Sequence, residues 1–443
     1  MPKKKTALTI EERLQQALVP AEEQPYEVPE NWVWVRLGDV NKYISKSVNP
    51  ISEPDKIFEL YSVPSMVDNY PEIIAGSDIG SSKQSVCKKD VLLCKINPRI
   101  NRVWKVSQFT DNELIASSEW IIIRNNHINE NYLMYCFQSK YFREFMLSNV
   151  SGVGGSLMRA QPKYVQTYPI PLPPLSEQQR IVERIEELFA KLDEAKERLQ
   201  EVADSFAVRK AAILHKAFSG ELTKQWRLEN GVSDESWEEK KLGEVALLLS
   251  GQDFPPTKYN SDGNGIPYIT GASNFDDTHI LINRWTDEPS VIAQENDVLL
   301  VCKGSGYGKT IIADFKEAHI ARQIMALRVK EIIDNNLLLY YLRNKNRFIK
   351  EQGQGLIPGL SRKVILSLTI NLPTLPEQHE IVRLIDDLLA RERAAQQATE
   401  QALASIDLMK KSILARAFRG ELGTNKASEA SALELLRQVL AED

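Results

Sequence analysis

The feature that most constrains the fold of this chain is a long internal repeat. Residues 171–190 (PLPPLSEQQRIVERIEELFA) align with residues 371–390 (NLPTLPEQHEIVRLIDDLLA), with ten identities in twenty positions. At the same offset of 200 residues, residues 210–222 align with residues 410–422, with eight identities in thirteen. Self-similarity at a fixed separation indicates a duplicated structural unit. We therefore predict two structurally equivalent halves.

Both copies of the repeat predict a long helix with one apolar seam. In the first copy, apolar residues recur alternately four and three positions apart, as in a heptad repeat. These residues are Ile181, Ile185, Leu188, Leu192, Ala195, Leu199, Val202 and Phe206. Two seam positions of the second copy are polar, Glu392 and Thr399. Its apolar members are Ile381, Ile385, Leu388, Ala395, Ala402, Ile406, Met409 and Ile413.

A seam of this length needs a partner. A helix from residue 177 to residue 217 would be roughly 60 Å long at a rise of 1.5 Å per residue. Because the two copies match in length and register, we predict that they pair with each other as an antiparallel coiled coil. The alternatives are a coiled coil with a separate protein and two unrelated core helices.

The starts of both helices match the capping box, in which an N-terminal hydroxyl and a side chain three residues later satisfy exposed backbone N–H groups. Ser176 with Gln179 fits this pattern in the first copy, and Thr374 with Glu377 fits it in the second. We therefore predict that these pairs cap the two helices.

The segments between the helices predict globular domains. Residues 31–40 resemble residues 236–245, and residues 88–95 (KKDVLLCK) resemble residues 295–303 (ENDVLLVCK), with little identity between these islands. Short β-like runs alternate with turns rich in Gly, Asn and Ser, and one helix-like stretch follows in each copy. The pattern predicts two mixed α/β domains, with Trp104 and Trp285 in their cores; an exposed position for contact with a partner is the alternative for both.

The predicted fold class is therefore α/β (mixed) globular domains alternating with long α-helices in a two-fold internal repeat. The predicted segments are an N-terminal extension (1–30), a first globular domain (31–175), a first helical connector (176–222), a linker (223–236), a second globular domain (237–375), a second helical connector (376–422) and a C-terminal tail (423–443).

Composition argues against membrane, secreted and metal-binding proteins. No run approaches 18 consecutive apolar residues, and the basic N-terminus has no apolar signal core after it. Four cysteines include no C-x-x-C pair, and five histidines are scattered, whereas a zinc site needs three or four converging ligands. We predict a cytoplasmic protein with reduced thiols and no metal.

Charge is distributed in a way that favours nucleic acid, although the net charge of −5 alone does not. Residues 81–105 contain seven Lys or Arg and a single acid, Asp90. Residues 340–350 contain four bases and no acid. An acidic chain can thus present two basic faces, one in each globular domain.

The repeated phrase, PLPPLSEQQRIVERIEELFAKLDEA and NLPTLPEQHEIVRLIDDLLA, closely resembles the start of the conserved helical regions in specificity subunits of type I restriction–modification enzymes. The N-terminal ERLQQALVPAEEQPYEVPENWVWVRLGDV and the two AF-x-GEL ends resemble the same family. The resemblance covers nearly the whole chain in order. It implies that the two globular domains are target recognition domains 1 and 2.

The resemblance implies a function in which this chain reads DNA and partner subunits do the chemistry. Each recognition domain would dock in the major groove at one half of a bipartite double-stranded DNA target, and the paired helices would set the gap. Two modification (methyltransferase) subunits would bring S-adenosylmethionine, and restriction (translocase and nuclease) subunits would bring ATP and magnesium. This chain itself is expected to hold no cofactor and no catalytic residue.

The ends of the chain also resemble each other. The C-terminal ALELLRQVLAED (432–443) and the N-terminal IEERLQQALVPAEE (10–23) each predict a short amphipathic helix followed by acids. In the family that this chain resembles, the two ends approach each other and complete the symmetry of the second half. An unrelated surface helix is the alternative.

The stretch Lys303-Gly304-Ser305-Gly306-Tyr307-Gly308-Lys309-Thr310 is close to a phosphate-binding loop but lacks its first glycine. The residues after it read as a strand, so there is no helix N-terminus to hold a phosphate. We predict a hairpin turn that exposes Ser305, Tyr307 and Lys309 to DNA. Methyltransferase and nuclease motifs are absent in any complete form.

Basic side chains are the candidates for DNA contact, since phosphates attract them and base edges accept their hydrogen bonds. In the first domain the candidates are Lys88, Lys89, Lys95, Arg99, Arg102 and Lys105, with Arg159 and Lys163 expected at the DNA backbone. In the second domain they are Lys303, Ser305, Tyr307, Lys309, Arg322, Arg343, Lys345, Arg362 and Lys363. For each of these residues, a purely solvated surface position is the alternative.

Two other functions stay open on the sequence alone. One is a stand-alone nuclease or methyltransferase whose motifs are not recognised. The other is a coiled-coil assembly protein without DNA contact. Turnover by the isolated chain would favour the first, and failure to shift a DNA duplex in a gel would favour the second.

Overall fold

The computed structural model describes residues 8–151, 158–276, 278–304, 306–351 and 359–442. The chain divides into two compact units. Unit 1 consists of Met1–Leu199 together with Ala402–Asp443, and unit 2 consists of Gln200–Gln401. Each unit therefore contains parts of both copies of the repeat.

Helices are numbered along the chain. They are α1 (Ile10–Ala17), α2 (Leu37–Val40), α3 (Glu130–Gln138), α4 (Lys140–Ser148), α5 (Pro162–Val165), α6 (Leu175–Phe218), α7 (Lys224–Asn230), α8 (Leu242–Val245), α9 (Asn335–Asn344), α10 (Asn346–Glu351), α11 (Arg362–Leu366), α12 (Leu375–Ala417) and α13 (Ala432–Ala441). The two long helices, α6 and α12, each begin in one unit and end in the other.

Strands are numbered in the same way. Those of unit 1 are β1 (Val33–Arg36), β2 (Ser47–Val48), β3 (Ile57–Tyr61), β4 (Glu72–Ala75), β5 (Lys83–Ser85), β6 (Val91–Cys94), β7 (Val103–Lys105), β8 (Glu113–Ala116), β9 (Trp120–Ile123), β10 (Val150–Ser151), β11 (Arg159–Ala160) and β12 (Pro169–Leu172). Those of unit 2 are β13 (Glu238–Lys241), β14 (Ala246–Ser250), β15 (Ile266–Ile269), β16 (Trp285–Thr286), β17 (Ile292–Gln294), β18 (Val298–Val301), β19 (Thr310–Ile312), β20 (Glu317–Ile320), β21 (Ile324–Val329) and β22 (Thr369–Leu372).

Unit 1 has two principal sheets. The larger has the order β2-β5-β8-β3-β4, with β3 and β8 parallel and the other neighbours antiparallel. The smaller has the order β7-β6-β9 and is antiparallel throughout. Strands β6 and β9 are buried along their whole length, and α3 lies against β6 and β7. Trp104 on β7 is buried in this core, as predicted.

Unit 2 repeats this arrangement with local differences. Its sheets have the orders β14-β21-β18-β19 and β16-β15-β20-β17, and β15 with β20 is the parallel pair. Helix α9 lies against β18 and β19, as α3 does against β6 and β7. Trp285 lies on the edge strand β16 and is only half-buried, so the prediction of a core position was wrong for this residue.

In both units the strand that enters the globular part pairs with the strand that leaves it. In unit 1, β1 pairs antiparallel with β12, with Val33 opposite Leu172. In unit 2, β13 pairs antiparallel with β22, with Glu238 opposite Leu372. Because β12 and β22 run directly into α6 and α12, each long helix starts beside the entry to its own globular part.

Helices α6 and α12 pair antiparallel within each unit. In unit 1, Asp193 accepts a hydrogen bond from Lys410 at 2.5 Å, and Lys196 lies 3.6 Å from Asp407. In unit 2, Arg209 donates to Glu392 at 3.0 Å. Residue numbers thus fall along α12 as they rise along α6. The predicted mixed α/β architecture with an antiparallel pair of long helices is confirmed.

The predicted seam is correct over most of its length and wrong at three positions. Ile181, Ile185, Phe206, Ile381, Ile385 and Ile406 are all buried. The exceptions, Val202, Ala395 and Met409, are exposed. Polar Thr399 is 7% exposed and therefore belongs to the seam, with its hydroxyl donating to the carbonyl of Ala395 at 2.8 Å.

The Glu-Gln dipeptide in both copies of the repeat anchors the start of a long helix to its globular part. Gln178 accepts from the backbone N–H of Asn129 at 2.9 Å, and Gln378 accepts from that of Asp334 at 2.9 Å. The preceding glutamates are completely buried. The repeat is thus most similar where the connector meets the domain.

The predicted capping boxes were wrong, because the glutamate and glutamine side chains have other partners. Helix α6 begins at Leu175, so Ser176 lies inside its first turn. Gln179 accepts a hydrogen bond from the side chain of Asn129 at 2.9 Å. Glu377 accepts instead from Thr223 and Arg227, both at 2.7 Å.

The C-terminal segment packs into unit 1. Helix α13 contacts α1, and it buries Leu435, Leu436, Val439 and Leu440 in the core of that unit. The predicted approach of the two chain ends is therefore confirmed by the packing of α1 against α13.

Candidate nucleic-acid interface

The basic segment 81–105 is divided by the β6–β7 hairpin into two groups. Lys88 and Lys89 lie in the turn before β6, and Lys105, which pairs in register with Val91, lies at the same end. Lys89 is 3.9 Å from Glu130, and Lys105 donates to Asn131 at 2.7 Å, so both are beside the start of α3. The predicted single basic face is therefore two separate groups.

The second group surrounds the loop at the opposite end of the hairpin. Residues 95–102 form this loop, which carries Lys95, Arg99 and Arg102. The backbone N–H of Ala160 donates to the carbonyl of Lys95 at 2.8 Å, which brings the neighbouring Arg159 to the loop. We call the surface formed by residues 95–102, Glu119 and Arg159 tip 1.

Tip 1 contains both paired and unpaired cations. The guanidinium of Arg159 donates to both carboxylate oxygens of Glu119, each at 3.2 Å, and this carboxylate raises the pKa of Arg159. Lys95 and Arg99 form no side-chain hydrogen bond or ion pair with another residue that the structure describes. Their charges are therefore available to an anionic partner.

In unit 2 the glycine-rich stretch forms the turn of the β18–β19 hairpin, as predicted, and Thr310 begins a strand rather than a helix. Lys303 and Lys309 are exposed on this turn. Arg322 lies beside it, since the carbonyl of Arg322 accepts from the thiol of Cys302 at 3.5 Å. We call the surface formed by residues 302–304, residues 306–309, Asp253 and Arg322 tip 2.

Two predictions for this turn have different outcomes. Tyr307 is not exposed: it is buried at 8% exposure, and its hydroxyl donates to the carbonyl of Ile349 at 2.9 Å, which anchors the turn to α10. The prediction of a DNA contact by its side chain is therefore corrected. Ser305 lies outside the described residues.

Glycines in this turn satisfy steric demands of the fold. A Cβ atom at Gly306 would lie 2.0 Å from the Cβ of Ala272. Gly308 has a φ of +87°, and a Cβ there would lie 2.6 Å from the side-chain oxygen of Asn346. A tight turn packed on neighbouring chain explains the glycine-rich sequence without a bound phosphate.

Arg343 and Lys345 lie at the end of α9. Arg343 donates a hydrogen bond to the carbonyl of Thr310 at 3.3 Å and lies over the ring of Tyr340. The ammonium of Lys345 lies 5.9 Å from the centroid of the Tyr341 ring. Lys350, which sequence reasoning did not select, comes closer to tip 2. Its Cε would lie 3.5 Å from a Cβ at Gly308. The basic run 340–350 was the signal that could have found it.

The candidates before the connectors lie on α5 and α11. Lys163 is exposed, with its ammonium 4.7 Å from the centroid of the Tyr164 ring. Lys363 is also exposed. Arg362 donates to the carbonyl of Leu248 at 2.9 Å and to the hydroxyl of Ser250 at 3.1 Å, so it holds α11 against β14.

A family model described as the type I restriction modification DNA specificity domain matches this chain twice, over residues 29–204 and 234–403. The chain belongs to this family. Each match covers one globular part and the beginning of the long helix after it. The chain is a specificity subunit of a type I restriction–modification system with two DNA-recognition domains, one in each unit.

Curated relatives agree along most of their length. The chain is 26% identical over 409 residues to a putative type I restriction enzyme MjaX specificity subunit from Methanocaldococcus jannaschii, covering 86% of this chain and 92% of that protein. It is 29% identical to the StySPI specificity subunit from Salmonella potsdam, covering 71% and 72%. These relatives are named for the recognition component of the enzyme rather than a catalytic one.

Solved structures from type I restriction–modification systems share the fold. The HsdS subunit from Thermoanaerobacter tengcongensis superposes with a TM-score of 0.70 at 27% identity, covering 90% of this chain and 99% of that chain. A second structure, from work on complex assembly and conformational transition of the type I restriction–modification system, gives a TM-score of 0.74 at 27% identity, covering 90% and 100%.

Buried ion pairs fix the hairpin that carries each tip in this specificity subunit. The Asp-Val-Leu-Leu motif places Asp90 before β6 and Asp297 before β18. Arg124 binds Asp90 through two hydrogen bonds of 2.7 and 2.6 Å, and Arg328 binds Asp297 through bonds of 3.0 and 2.8 Å. Both aspartates are buried, so these arginines serve the fold and are not free to contact DNA.

Residues of the metal-ligating types are not clustered in the part of the specificity subunit that the structure describes. No three His, Cys, Asp or Glu side chains there converge as metal ligands. The four cysteines are free thiols, and burial raises the pKa of Cys94, Cys136 and Cys302. No helix among the described residues is long and apolar enough to cross a bilayer.

Proposed function

We propose that this subunit recognises a bipartite DNA target, that each recognition domain reads one half-site, and that the paired helices set the gap between the halves. The observation that carries this proposal is the repeated construction of the units. Each unit joins one complete recognition domain to an antiparallel pair made from parts of α6 and α12. Two recognition domains, each joined to the same two long helices, suit a target in two halves.

Both tips have the charge that a DNA backbone requires. Lys95, Arg99, Lys303 and Lys309 have no side-chain partner among the described residues and are at least partly exposed. Each cation that neutralises a phosphate releases counterions from the DNA. This release raises the binding affinity and makes the affinity depend on the salt concentration. These side chains would position each domain on the duplex, while other groups at the tips read the bases.

The chemistry would be supplied by partner subunits. Two equivalent units offer two equivalent attachment positions, which suits two modification subunits that carry S-adenosylmethionine and methylate adenine. Restriction subunits would add ATP-driven translocation and magnesium-dependent cleavage. This chain would hold none of these cofactors and would direct the reaction by its choice of sequence.

The gap is tested by lengthening both helices together, because an insertion in one member of an antiparallel pair would unpair it. Seven residues are inserted after Leu199 and seven after Gln401, which lengthens each helix by about 10 Å. Methylated adenines are then sequenced in cells that carry the modified chain and its modification subunits. We expect both half-site sequences to be kept and the gap to grow by about three base pairs at 3.4 Å per pair.

Two results would contradict the proposal. One is a changed half-site sequence with an unchanged gap. The other is turnover by the isolated chain, incubated with duplex DNA and either S-adenosylmethionine or magnesium, since the proposal assigns both reactions to partner subunits. A gel shift with the complete complex against duplex competitor tests DNA binding itself.

A further inference from the structure

Arg159 at tip 1 and Arg322 at tip 2 differ in exposure from the two arginines that bind the buried aspartates of the hairpins. Arg124 and Arg328 bind carboxylates that are 1% and 3% exposed, and they hold the fold. Arg159 and Arg322 are 42% and 67% exposed, yet each is also bound to a carboxylate, Glu119 or Asp253. A surface arginine held in one orientation is available to a partner in a defined geometry.

The ion pairs of these two arginines each involve one residue of an equivalent turn in the two domains. The turn before β9 contains Glu119, whose carbonyl accepts from the backbone N–H of Lys95 at 3.0 Å. The turn before β21 contains Gln323, whose carbonyl accepts from the N–H of Cys302 at 2.8 Å. Both turns therefore lie directly against the hairpin loop of their tip.

The two tips build the pair with opposite polarity. In tip 1 the turn supplies the acid, Glu119, and the arginine comes from β11. In tip 2 the turn supplies the arginine, and the acid is Asp253. The guanidinium thus comes from a different element in each domain.

The donors left free by the carboxylates fit a base edge. Arg159 uses Nε and Nη2 to bind Glu119. The Nε of Arg322 lies 2.5 Å from Asp253, whose other oxygen accepts from the arginine's own backbone N–H at 3.1 Å. In both cases an Nη1/Nη2 pair remains, and two parallel N–H donors match the O6 and N7 acceptors of guanine in the major groove.

Pairing with an acid also lowers the attraction of these arginines for phosphate. The neighbouring carboxylate cancels much of the guanidinium charge. It also holds the guanidinium in one orientation, so the free N–H donors have a fixed direction. Because the side chain is already ordered, it loses less rotamer entropy when it binds DNA. Lys95, Lys303 and Lys309 of the same tips have no side-chain partner among the residues that the structure describes, so their properties are the opposite. A lysine ammonium group that is charged but not held in one orientation is suited to bind the phosphates of the DNA backbone.

We propose that Arg159 and Arg322 are specificity-determining residues, each of which reads one guanine in the half-site of its own domain and is oriented for this by Glu119 or Asp253. The inference rests on the proposed function, since it assumes that each tip enters a major groove. It assigns base reading to the paired arginines and phosphate contact to the lysines.

The test uses the full chain in complex with its modification subunits and a DNA library randomised at both half-sites. Methylated adenines are sequenced for Arg159→Lys and Arg322→Lys. We expect the preference for guanine to fall at one position of one half-site, on the order of tenfold to hundredfold, with the other half-site unchanged. Glu119→Gln and Asp253→Asn keep the arginine and should relax the same positions to a smaller extent.

Matched controls separate base reading from general effects of charge. Arg184 is 45% exposed and paired with Glu187, and Arg383 is 63% exposed and paired with Glu380, but both lie on the long helices. Their lysine variants should keep both half-sites. Lys309→Gln should weaken methylation of all sequences alike and reduce the salt dependence of binding by about one counterion.

The inference would be overturned if both arginine variants kept the wild-type half-site sequences. It would also be overturned if methylation fell equally at every sequence, or if base preference was lost at a position where the wild type does not select guanine. If an arginine variant lowers thermal stability, its glutamine or asparagine companion decides the question, because the arginine is then still in place. A wild-type complex that methylates no bipartite target would refute the proposed function instead, so the two failures are distinguishable.

Discussion

Glu177 and Glu377 occupy the same position in the two copies of the repeat, and both are completely buried. Glu177 accepts from the indole of Trp32 at 2.7 Å and from the side chain of Asn425 at 2.8 Å, whereas Glu377 binds Thr223 and Arg227. A buried carboxylate requires such partners. The segment that follows each AF-x-GEL end supplies Asn425 in unit 1 and both Thr223 and Arg227 in unit 2, whereas Trp32 comes from the segment before β1.

The pKa of Glu177 makes this site sensitive to pH. Burial raises the pKa of its carboxyl above the ordinary 4.5, and hydrogen bonds from Trp32 and Asn425 oppose part of the rise. The folded state therefore binds this proton more tightly than the unfolded chain does. Its contribution to stability is complete below the unfolded pKa and is lost as the pH rises through the folded pKa.

We expect the free energy of unfolding of the wild type, minus that of Glu177→Gln, to fall as the pH rises above the ordinary carboxyl pKa of 4.5. Urea unfolding at a series of pH values measures this difference. Glu197→Gln is the control, because it removes a carboxylate from an exposed position on the same helix. A difference that stays flat or increases with pH would show that Glu177 is not the responsible group.

Sequence reasoning succeeded for residues whose role depends on local spacing and failed where it depends on distant chain. It identified the turn that exposes Lys309, because glycines and a following strand mark a hairpin. It placed Tyr307 on the surface, because nothing in that segment shows that α10 covers it. It did not find the ion pair of Arg159 with Glu119, because these residues are 40 positions apart in the chain.

At the scale of elements, the heptad pattern predicted which helices pair but not the register along their whole length. Met409 continues the apolar spacing of α12, yet it is 51% exposed, while the neighbouring Lys410 turns inward to Asp193. Cross-helix ion pairs and hydrogen bonds select the face that is buried. Spacing alone does not contain this information, because it depends on the residues of the opposing helix.

The register predicts different costs for two nearby truncations. Ile406 is 4% exposed, so Ile406→Ala should lower the free energy of unfolding by about 2–5 kcal/mol through lost burial and a residual cavity. Met409→Ala removes an exposed side chain and should change stability by less than about 0.5 kcal/mol. Urea denaturation followed by far-ultraviolet circular dichroism measures both. Equal costs would mean that the seam follows the apolar spacing after all.

At the scale of the whole molecule, the tail is a structural part of unit 1. Asn31 donates to the carbonyl of Lys426 at 3.3 Å, and Arg180 on α6 binds Glu429 through two hydrogen bonds. Recognition domain 1 is therefore built from both ends of the chain. The likeness of the two chain ends suggested this closure, but the polar contacts that make it depend on residues nearly 400 positions apart.

Removal of the tail should therefore damage unit 1. Deletion of residues 424–443 exposes core residues of this unit and leaves Glu177 without its hydrogen bond from Asn425. Each lost core side chain, such as Leu436, removes about 1.5–3 kcal/mol of stabilisation by burial. Hydrogen exchange should show loss of protection first in α1 and β1. Leu436→Ala should reproduce part of this loss, whereas Arg437→Ala, at a 49% exposed side chain, should not. Full protection of β1 in the shortened chain would mean that the domain closes without its tail, and that the repeat needs no contribution from the far end of the chain.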